Sequence, residues 1–178
     1  MRHLRICLAV LLLALAAAPA KAQSAPPGFR EEFLGQFNTS MSKFIALAEA
    51  MPAERYGWSP GPGVMPVARV YAHVGHYNYY YPATSLSVPA PDGRDADAIE
   101  QTTTSKADVL ALLRSSGEHV NQAVRGMTDE QLAAPTQLYG RDVPQWAVLL
   151  QLLAHMNEHL GQSIAYARMN GVVPPWSQ

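Results

Sequence analysis

The stretch that decides the fold is residues 142–175, DVPQWAVLLQLLAHMNEHLGQSIAYARMNGVVPP. Its apolar residues recur every three or four positions, which is the period of a helix with one buried face. The Asn-Gly pair at 170–171, with two prolines behind it, is typical of a helix end, because glycine adopts the cap conformation easily and proline cannot continue a helix. The sequence therefore predicts a long amphipathic helix that begins around Asp142 and Pro144.

Three further segments show the same helical period, and no segment alternates convincingly as a β-strand does. These segments are residues 29–51, 66–84 and 105–127. The third begins with Ser105 and Asp108 in the spacing of a capping box, in which side chains bond to the free amides of a helix start. Together with the segment quoted above, they predict four helices long enough to build one bundle.

The connection between the second and third predicted helices is unusually long. Residues 87–103 contain two prolines, a glycine and four acids, a composition that predicts a loop. Fully extended, this loop can reach roughly 55 Å, enough to return along a whole bundle. We therefore expect an all-α four-helix bundle with a long crossover between helices two and three, and a short helical turn after Thr128.

Residues 1–22 have the layout of a secretory signal peptide. They hold three cations and no acid, an apolar run over residues 6–18, and a small-residue ending, Ala-Lys-Ala. The apolar run is shorter than the roughly 20 residues that a membrane span needs. We expect cleavage after Ala22, a bundle domain of residues 23–178, and a secreted or periplasmic protein with no membrane partner after cleavage.

The charge and the cysteine content beyond Ala22 exclude several classes of function. Of 13 Lys and Arg, three lie in residues 1–22, which leaves 10 against 14 Asp and Glu, a net charge of −4. A chain this acidic has no overall field that would attract nucleic acid or anionic lipid. Cys7 is the only cysteine and precedes the expected cut, so the mature domain has no thiol nucleophile and no thiolate ligand.

The histidines carry the sharpest chemical signal. His155 and His159 lie four residues apart, which places both imidazoles on one face of the fourth predicted helix, where they could share one divalent metal ion. They flank the apolar stripe, so we expect them to face a groove of the bundle. His73, between Val70 and Tyr77 on the second helix, has a similar setting and would complete a set of three. The alternative is that such a pair borders the core and bonds to water or backbone.

Other histidines and one glutamate compete with this interpretation. His76 lies about 60° around the helix from His73 and away from the apolar stripe, so the pattern favours His73 as the third ligand. His119 is expected at the boundary of the third helix and is a weaker candidate for a fourth ligand. The HxxEH string also matches a protease pattern in which Glu158 would be the general base. No Asp or Glu follows His159 to complete that site, so we expect a solvated Glu158 and no protease.

Three motifs together resemble the DinB-like superfamily. Residues 155–162, HMNEHLGQ, are similar to the last helix of that superfamily, and residues 70–74, VYAHV, to its second-helix histidine motif. Residues 56–60, YGWSP, are similar to the segment before that helix. The resemblance extends over residues 28–176, essentially the whole domain expected after cleavage.

The resemblance implies a four-helix bundle with up-down-down-up topology and a divalent-metal site. Transferred position by position, the ligands are His73, His155 and His159, with zinc or nickel as the favoured ion. Known relatives include transferases and isomerases that depend on low-molecular-weight thiols. Gln162 falls at the Gly-Gln step of the motif, where it would either orient a ligand or serve helix packing.

Two functional hypotheses follow, and the sequence does not decide between them. The first is an exported metal-dependent enzyme, a hydrolase or a transferase, that acts on a small molecule at open coordination positions. Its catalytic side chains are not identified, and Tyr77, one turn beyond His73, is the first to test. The second is a non-catalytic bundle that binds metal or a small ligand. A homodimer is compatible with both, and a purely structural bundle without metal is a third alternative.

Overall fold

The computed structural model describes residues 23–91 and 96–177, and four long helices form its main part. The helices are α1 (Phe29–Ala50), α2 (Val67–Ser85), α3 (Ala96–Thr102), α4 (Lys106–Arg125), α5 (Asp129–Ala133) and α6 (Gln145–Met169); the strands are β1 (Pro135–Leu138) and β2 (Arg141–Pro144). Single 3-10 turns occupy Ala53–Arg55 and Pro175–Ser177. The long helices α1, α2, α4 and α6 correspond to the four that the sequence predicts.

The helix ends follow from local hydrogen bonding. The Ser105 hydroxyl accepts a bond from the Asp108 amide and caps the start of α4, as the sequence predicts. The next residue, Lys106, donates from Nζ to the carbonyls of Glu49 and Met51 at 2.6 and 2.8 Å. This ammonium therefore satisfies carbonyls that the end of α1 leaves free and attaches the start of α4 to that end.

Side-chain contacts give the direction of each helix pair. The start of α1 meets the end of α4, where Arg30 donates to the Met127 carbonyl, so α1 and α4 are antiparallel. Asn78 on α2 donates to Ser116 on α4, and the pair runs parallel. Tyr166, late in α6, donates to a carbonyl just before α2, so α2 and α6 are antiparallel. The resulting order is up-down-down-up, which confirms the predicted fold class.

The bundle places α1 and α2 at opposite corners. Each of them packs against both α4 and α6. Aromatic side chains fill the space between them; Phe44 of α1 meets Tyr71 of α2 edge-on, with ring centroids 6.1 Å apart. Both rings are fully buried. This core holds α2 and α6 side by side, and that groove carries the histidines.

The crossover is not only a loop, because residues 96–102 form α3. The prediction of a loop over 87–103 is wrong for this part. Ile99 is buried against Ala72, Tyr79 and Leu112, and this apolar contact fixes the short helix on the outer face of α2. A helix of seven residues is too short to be stable alone, so composition gave little sign of it.

A β-hairpin precedes α6, where the sequence showed no strand. Strands β1 and β2 pair antiparallel through a two-residue turn at Tyr139 and Gly140. Both turn residues have positive φ, 51° and 73°, as the turn type that matches strand twist requires. Each strand is only four residues long and carries a proline at its outer end, so no alternation could be recognised. The Tyr139 hydroxyl bonds to that of Tyr81 and ties the hairpin to α2.

The predicted signal peptide and its cut after Ala22 lie outside the described residues. None of the helices in residues 23–91 and 96–177 combines the length and hydropathy that crossing a lipid bilayer requires.

Candidate metal centre

Three imidazoles converge in the groove between α2 and α6. The ring centroids of His73 and His155 are 5.0 Å apart, those of His73 and His159 are 4.7 Å apart, and those of His155 and His159 are 4.6 Å apart. The Nε2 atoms of His73 and His155 lie 3.1 Å from each other. One ligand nitrogen from each of the three lies within 4.8 Å of the others. Residues 82 positions apart in the chain therefore meet in one cluster.

His73 is oriented by a carboxylate from the crossover. Its Nδ1 lies 2.7 Å from Oε1 of Glu100 on α3. An ionised carboxylate can only accept, so Nδ1 carries the proton and Nε2 presents a lone pair toward the other two histidines. Burial alone would raise the pKa of Glu100, but the hydrogen bond from His73, with His76 and Arg69 nearby, lowers it overall.

His159 is oriented by a chain of side chains on its own helix. Its Nδ1 donates to Oε1 of Gln162 at 2.8 Å, and the Gln162 amide nitrogen donates to the Tyr166 hydroxyl at 3.0 Å. Tyr166 in turn donates to the carbonyl of Met65 at 3.2 Å. This chain leaves Nε2 of His159 as the acceptor atom that faces the cluster, and it gives Gln162 an orienting role.

His155 lies against aromatic rings. The Tyr77 ring centroid is 4.2 Å from that of His155, and the Tyr81 ring meets it edge-on at 6.1 Å. Burial, with the neighbouring His159 and His73, lowers the pKa of His155 to about 4. Burial also lowers the pKa of His73, although Glu100 opposes that shift. Both imidazoles are therefore neutral at pH 7, which is the form that binds metal.

The donor set fits a divalent cation. His73 and His159 present Nε2 lone pairs inward because their outer nitrogens donate to acceptors, and His155 presents its own Nε2 within 3.1 Å of that of His73. Lone pairs that point at one another need a proton or a cation between them. Zinc–nitrogen bonds of about 2.0–2.1 Å require nitrogen atoms about 3–4 Å apart. Small side-chain rotations therefore suffice to bring the three nitrogens to distances at which all of them can bind one ion.

The other candidates lie outside the cluster. His76 is buried, with Nδ1 3.0 Å from Oε1 of Glu100, so the structure brings His73 and not His76 to the pair on α6. His119 is half-buried on α4 beside Tyr79, with ring centroids 5.1 Å apart, and its burial lowers its pKa. Glu158 is exposed, as expected for a solvated charge.

Glu100 is the residue at the candidate site that sequence reasoning missed. It lies 27 residues from His73, inside a segment whose composition indicates a loop. Its one local signal is its position next to Ile99, an isolated apolar residue that anchors α3. The sequence alone could not distinguish Glu100 from the other three acids of that crossover as a partner for a histidine. These acids are Asp92, Asp95 and Asp97.

Comparison with known proteins assigns the family. A family model described as the DinB superfamily matches residues 36–167, most of the chain. The chain belongs to the DinB superfamily. The matched region of this DinB superfamily member includes all three clustered histidines and Glu100. No protein with a curated description matches the sequence.

Solved structures of similar proteins support the fold. A DinB-like protein from Bacillus cereus ATCC 10987 is 20% identical, with a TM-score of 0.71, over 82% of this chain and 95% of that one. The DinB-like protein YjoA from Bacillus subtilis is 19% identical, with a TM-score of 0.63, over 79% of this chain and 92% of that one. At these identities the likeness shows the fold alone.

Proposed function

We propose that this protein binds one divalent metal ion through the Nε2 atoms of His73, His155 and His159, and that it is a metal-dependent hydrolase or transferase of a small molecule. The observation that carries the proposal is the convergence of three imidazoles, two of them tied at their outer nitrogens to Glu100 and Gln162. Three imidazole nitrogens suit zinc, and nickel also accepts such donors.

The residues around the three histidines favour an open site. In the described part of the chain, the cluster that could hold a metal has three members. A divalent ion with three protein ligands keeps coordination positions for substrate and supplies Lewis-acid chemistry there. The chain itself lowers the pKa of His73 and of His155 by burial, orients His73 and His159 through their outer nitrogens, and places the rings of Tyr77 and Tyr81 beside His155. These two rings form an aromatic wall on one side of the cluster.

A second candidate function is a non-catalytic metal-binding bundle. It is favoured by the origin of the ligands, because His73 comes from α2 and the other two from α6. An ion bound there would connect the two helices and stabilise the fold by linkage, by about 2.7 kcal/mol at a metal concentration 100 times the dissociation constant.

The metal content of purified protein tests both candidates. We expect about one zinc or nickel ion per chain in the wild type. A variant with both His155→Ala and His159→Ala should lose it, and the matched control His119→Ala, a histidine away from the cluster, should keep it. Equal, substoichiometric metal in the wild type and the double variant would contradict the proposed site.

An activity screen separates the enzyme from the non-catalytic bundle. Hydrolase and thiol-transfer substrates would be tested with the metal-loaded wild type, with the same protein after chelation, and with the double variant. Turnover that requires both metal and histidines supports the enzyme. Full metal loading and a chelation-dependent melting temperature, without turnover across the screen, support the non-catalytic bundle.

We also propose that the protein is exported and cleaved after Ala22. The support is the sequence pattern of residues 1–22 described above. Amino-terminal sequencing of the protein from a periplasmic fraction should begin at Gln23. Intact residues 1–22 on protein recovered only from the cytosol would contradict export.

A further inference from the structure

One carboxylate of the crossover contacts three side chains of α2. Oε1 of Glu100 accepts from Nδ1 of His73 at 2.7 Å and lies 3.0 Å from Nδ1 of His76, and Oε2 lies 3.4 Å from Nε of Arg69. The Glu100 side chain is only 13% exposed, although it comes from a connecting segment. An acid that only interacts with solvent would be exposed, so the burial of Glu100 against these side chains requires an explanation.

We propose that Glu100 is a positioning residue that holds His73 in the tautomer with Nε2 free for metal and thereby increases the metal affinity of the site. This inference rests on the proposed metal site and adds a residue from α3 to it. A neutral imidazole carries its proton on one nitrogen or the other, and the partner of the outer nitrogen decides which. Without an acceptor at Nδ1, His73 is free to turn an N–H group toward the cluster.

The position of Glu100 is secured independently of His73. Its neighbour Ile99 is buried against Ala72, Tyr79 and Leu112 of α2 and α4. Arg69 adds a cationic contact on the side away from the imidazoles. Because α3 is too short to be stable alone, its position depends on these contacts with α2. The carboxylate is therefore delivered to His73 by a docked segment and not by the helix that carries the ligand.

Linkage gives the proposal a second consequence. If the docked carboxylate raises metal affinity by some factor, bound metal must favour the docked state of α3 by the same factor. Hydrogen exchange of the backbone amides over 96–102 should therefore slow when zinc is added. The exchange of the β1–β2 hairpin, which lies outside this contact, reports the general stabilisation by zinc, and the slowing over 96–102 should exceed it.

Zinc titration of three variants measures the effect of Glu100. Glu100→Ala removes both the charge and the acceptor and should weaken zinc binding about 10- to 100-fold. Glu100→Gln keeps an acceptor oxygen without the charge, so its affinity should fall between that variant and the wild type. Glu158→Gln, which removes an exposed carboxylate next to His159, is the matched control and should bind as the wild type does.

The tautomer of His73 is the readout that a purely structural role would not change. Long-range proton–nitrogen spectra of the metal-free protein should show His73 protonated at Nδ1 in the wild type and not in Glu100→Ala. If Glu100→Ala fails to fold, Glu100→Gln, which preserves size, decides by its zinc affinity.

Two results would overturn the proposal: wild-type zinc affinity in Glu100→Ala and Glu100→Gln, or an unchanged His73 tautomer in Glu100→Ala. Failure of the metal site itself looks different. A wild type that binds neither zinc nor nickel contradicts the proposed function, and the His73 tautomer in metal-free protein still shows whether Glu100 positions that ring.

Discussion

Replacing Gly75 by alanine should separate α2 from α4 next to the helix face that carries His73. A Cβ atom at Gly75 would lie 2.5 Å from Cγ of Leu112 and 2.7 and 3.1 Å from its two methyl carbons. The whole isobutyl group would have to move, and Leu112 is buried against Ile99 of α3. Overpacking of this kind costs about 1–3 kcal/mol. Because Gly75 lies between His73 and His76, the displacement also reaches the candidate site.

Gly161→Ala on α6 is the matched control. A Cβ atom there meets nothing within 4 Å, so the variant shows the helix-propensity gain of alanine over glycine, about 1 kcal/mol, without the clash. Both variants share that gain, and their difference isolates the overpacking. We expect Gly75→Ala to be less stable than Gly161→Ala by about 1–3 kcal/mol, or about 2–12 °C in melting temperature for a domain of this size.

Urea denaturation of the metal-free variants measures the difference directly, and zinc titration of each shows whether the site has moved. If Gly75→Ala proves as stable as Gly161→Ala, α2 and α4 do not approach closely enough at this position for a methyl group to be excluded, and the packing argument is refuted. Equal stability with weakened zinc binding would still refute the energetic reasoning, because the clash would then be relieved at no cost.

Two further predictions concern pH and helix capping. The pKa of His155 is about 4 in the folded protein against an ordinary value of 6.5, so the unfolded chain takes up a proton between these values and the folded one does not. With a chelator present, the urea midpoint should be steady above about pH 6.5 and should fall as the pH is lowered toward 4. The variant His155→Phe should show a smaller fall. An identical pH profile in that variant would contradict burial of His155 as the cause. Ser105→Ala removes the cap of α4 and should lower the melting temperature by about 2–4 °C, the equivalent of about 1 kcal/mol. Ser177→Ala, at an exposed serine of the last 3-10 turn, is the control and should leave it unchanged.

The long helices and the histidine cluster could be predicted from the sequence because both depend on helical period. The apolar stripe through Val70 and Val74 shows which face of α2 is buried. The helical rotation of about 100° per residue then places His73 nearer to that face than His76. The same reasoning pairs His155 with His159. Periodicity is a property of a single helix, and it places each histidine on a face of its own helix. The topology that brings α2 to α6 was implied by the resemblance to the DinB-like superfamily.

The features that the sequence did not predict depend on contacts between segments. The stripe also suggested that His76 lies away from the core, yet it is 7% exposed, because α3 covers the outer face of α2. That cover, with Glu100 in it, comes from a segment whose prolines and acids indicate a loop. The hairpin at Tyr139 and Gly140 is likewise held by the pairing of two four-residue strands and by a bond to α2. None of these contacts leaves a period in the sequence.

The arrangement of the helices at the corners of the bundle has a consequence for how the chain folds. The extensive contacts among the four long helices each join α1 or α2 to α4 or α6. The first two helices therefore make no extensive hairpin together, unlike neighbours in a simple up-and-down bundle. Forming contacts between residues so far apart in sequence requires the chain to close long loops, and the entropy cost of closure precedes the stabilisation by the contacts. Folding is therefore slower than it is when neighbouring helices pair. A growing chain should gain little from α1 and α2 until α4 has been made, and its folding nucleus should be sought where α4 first meets both of them.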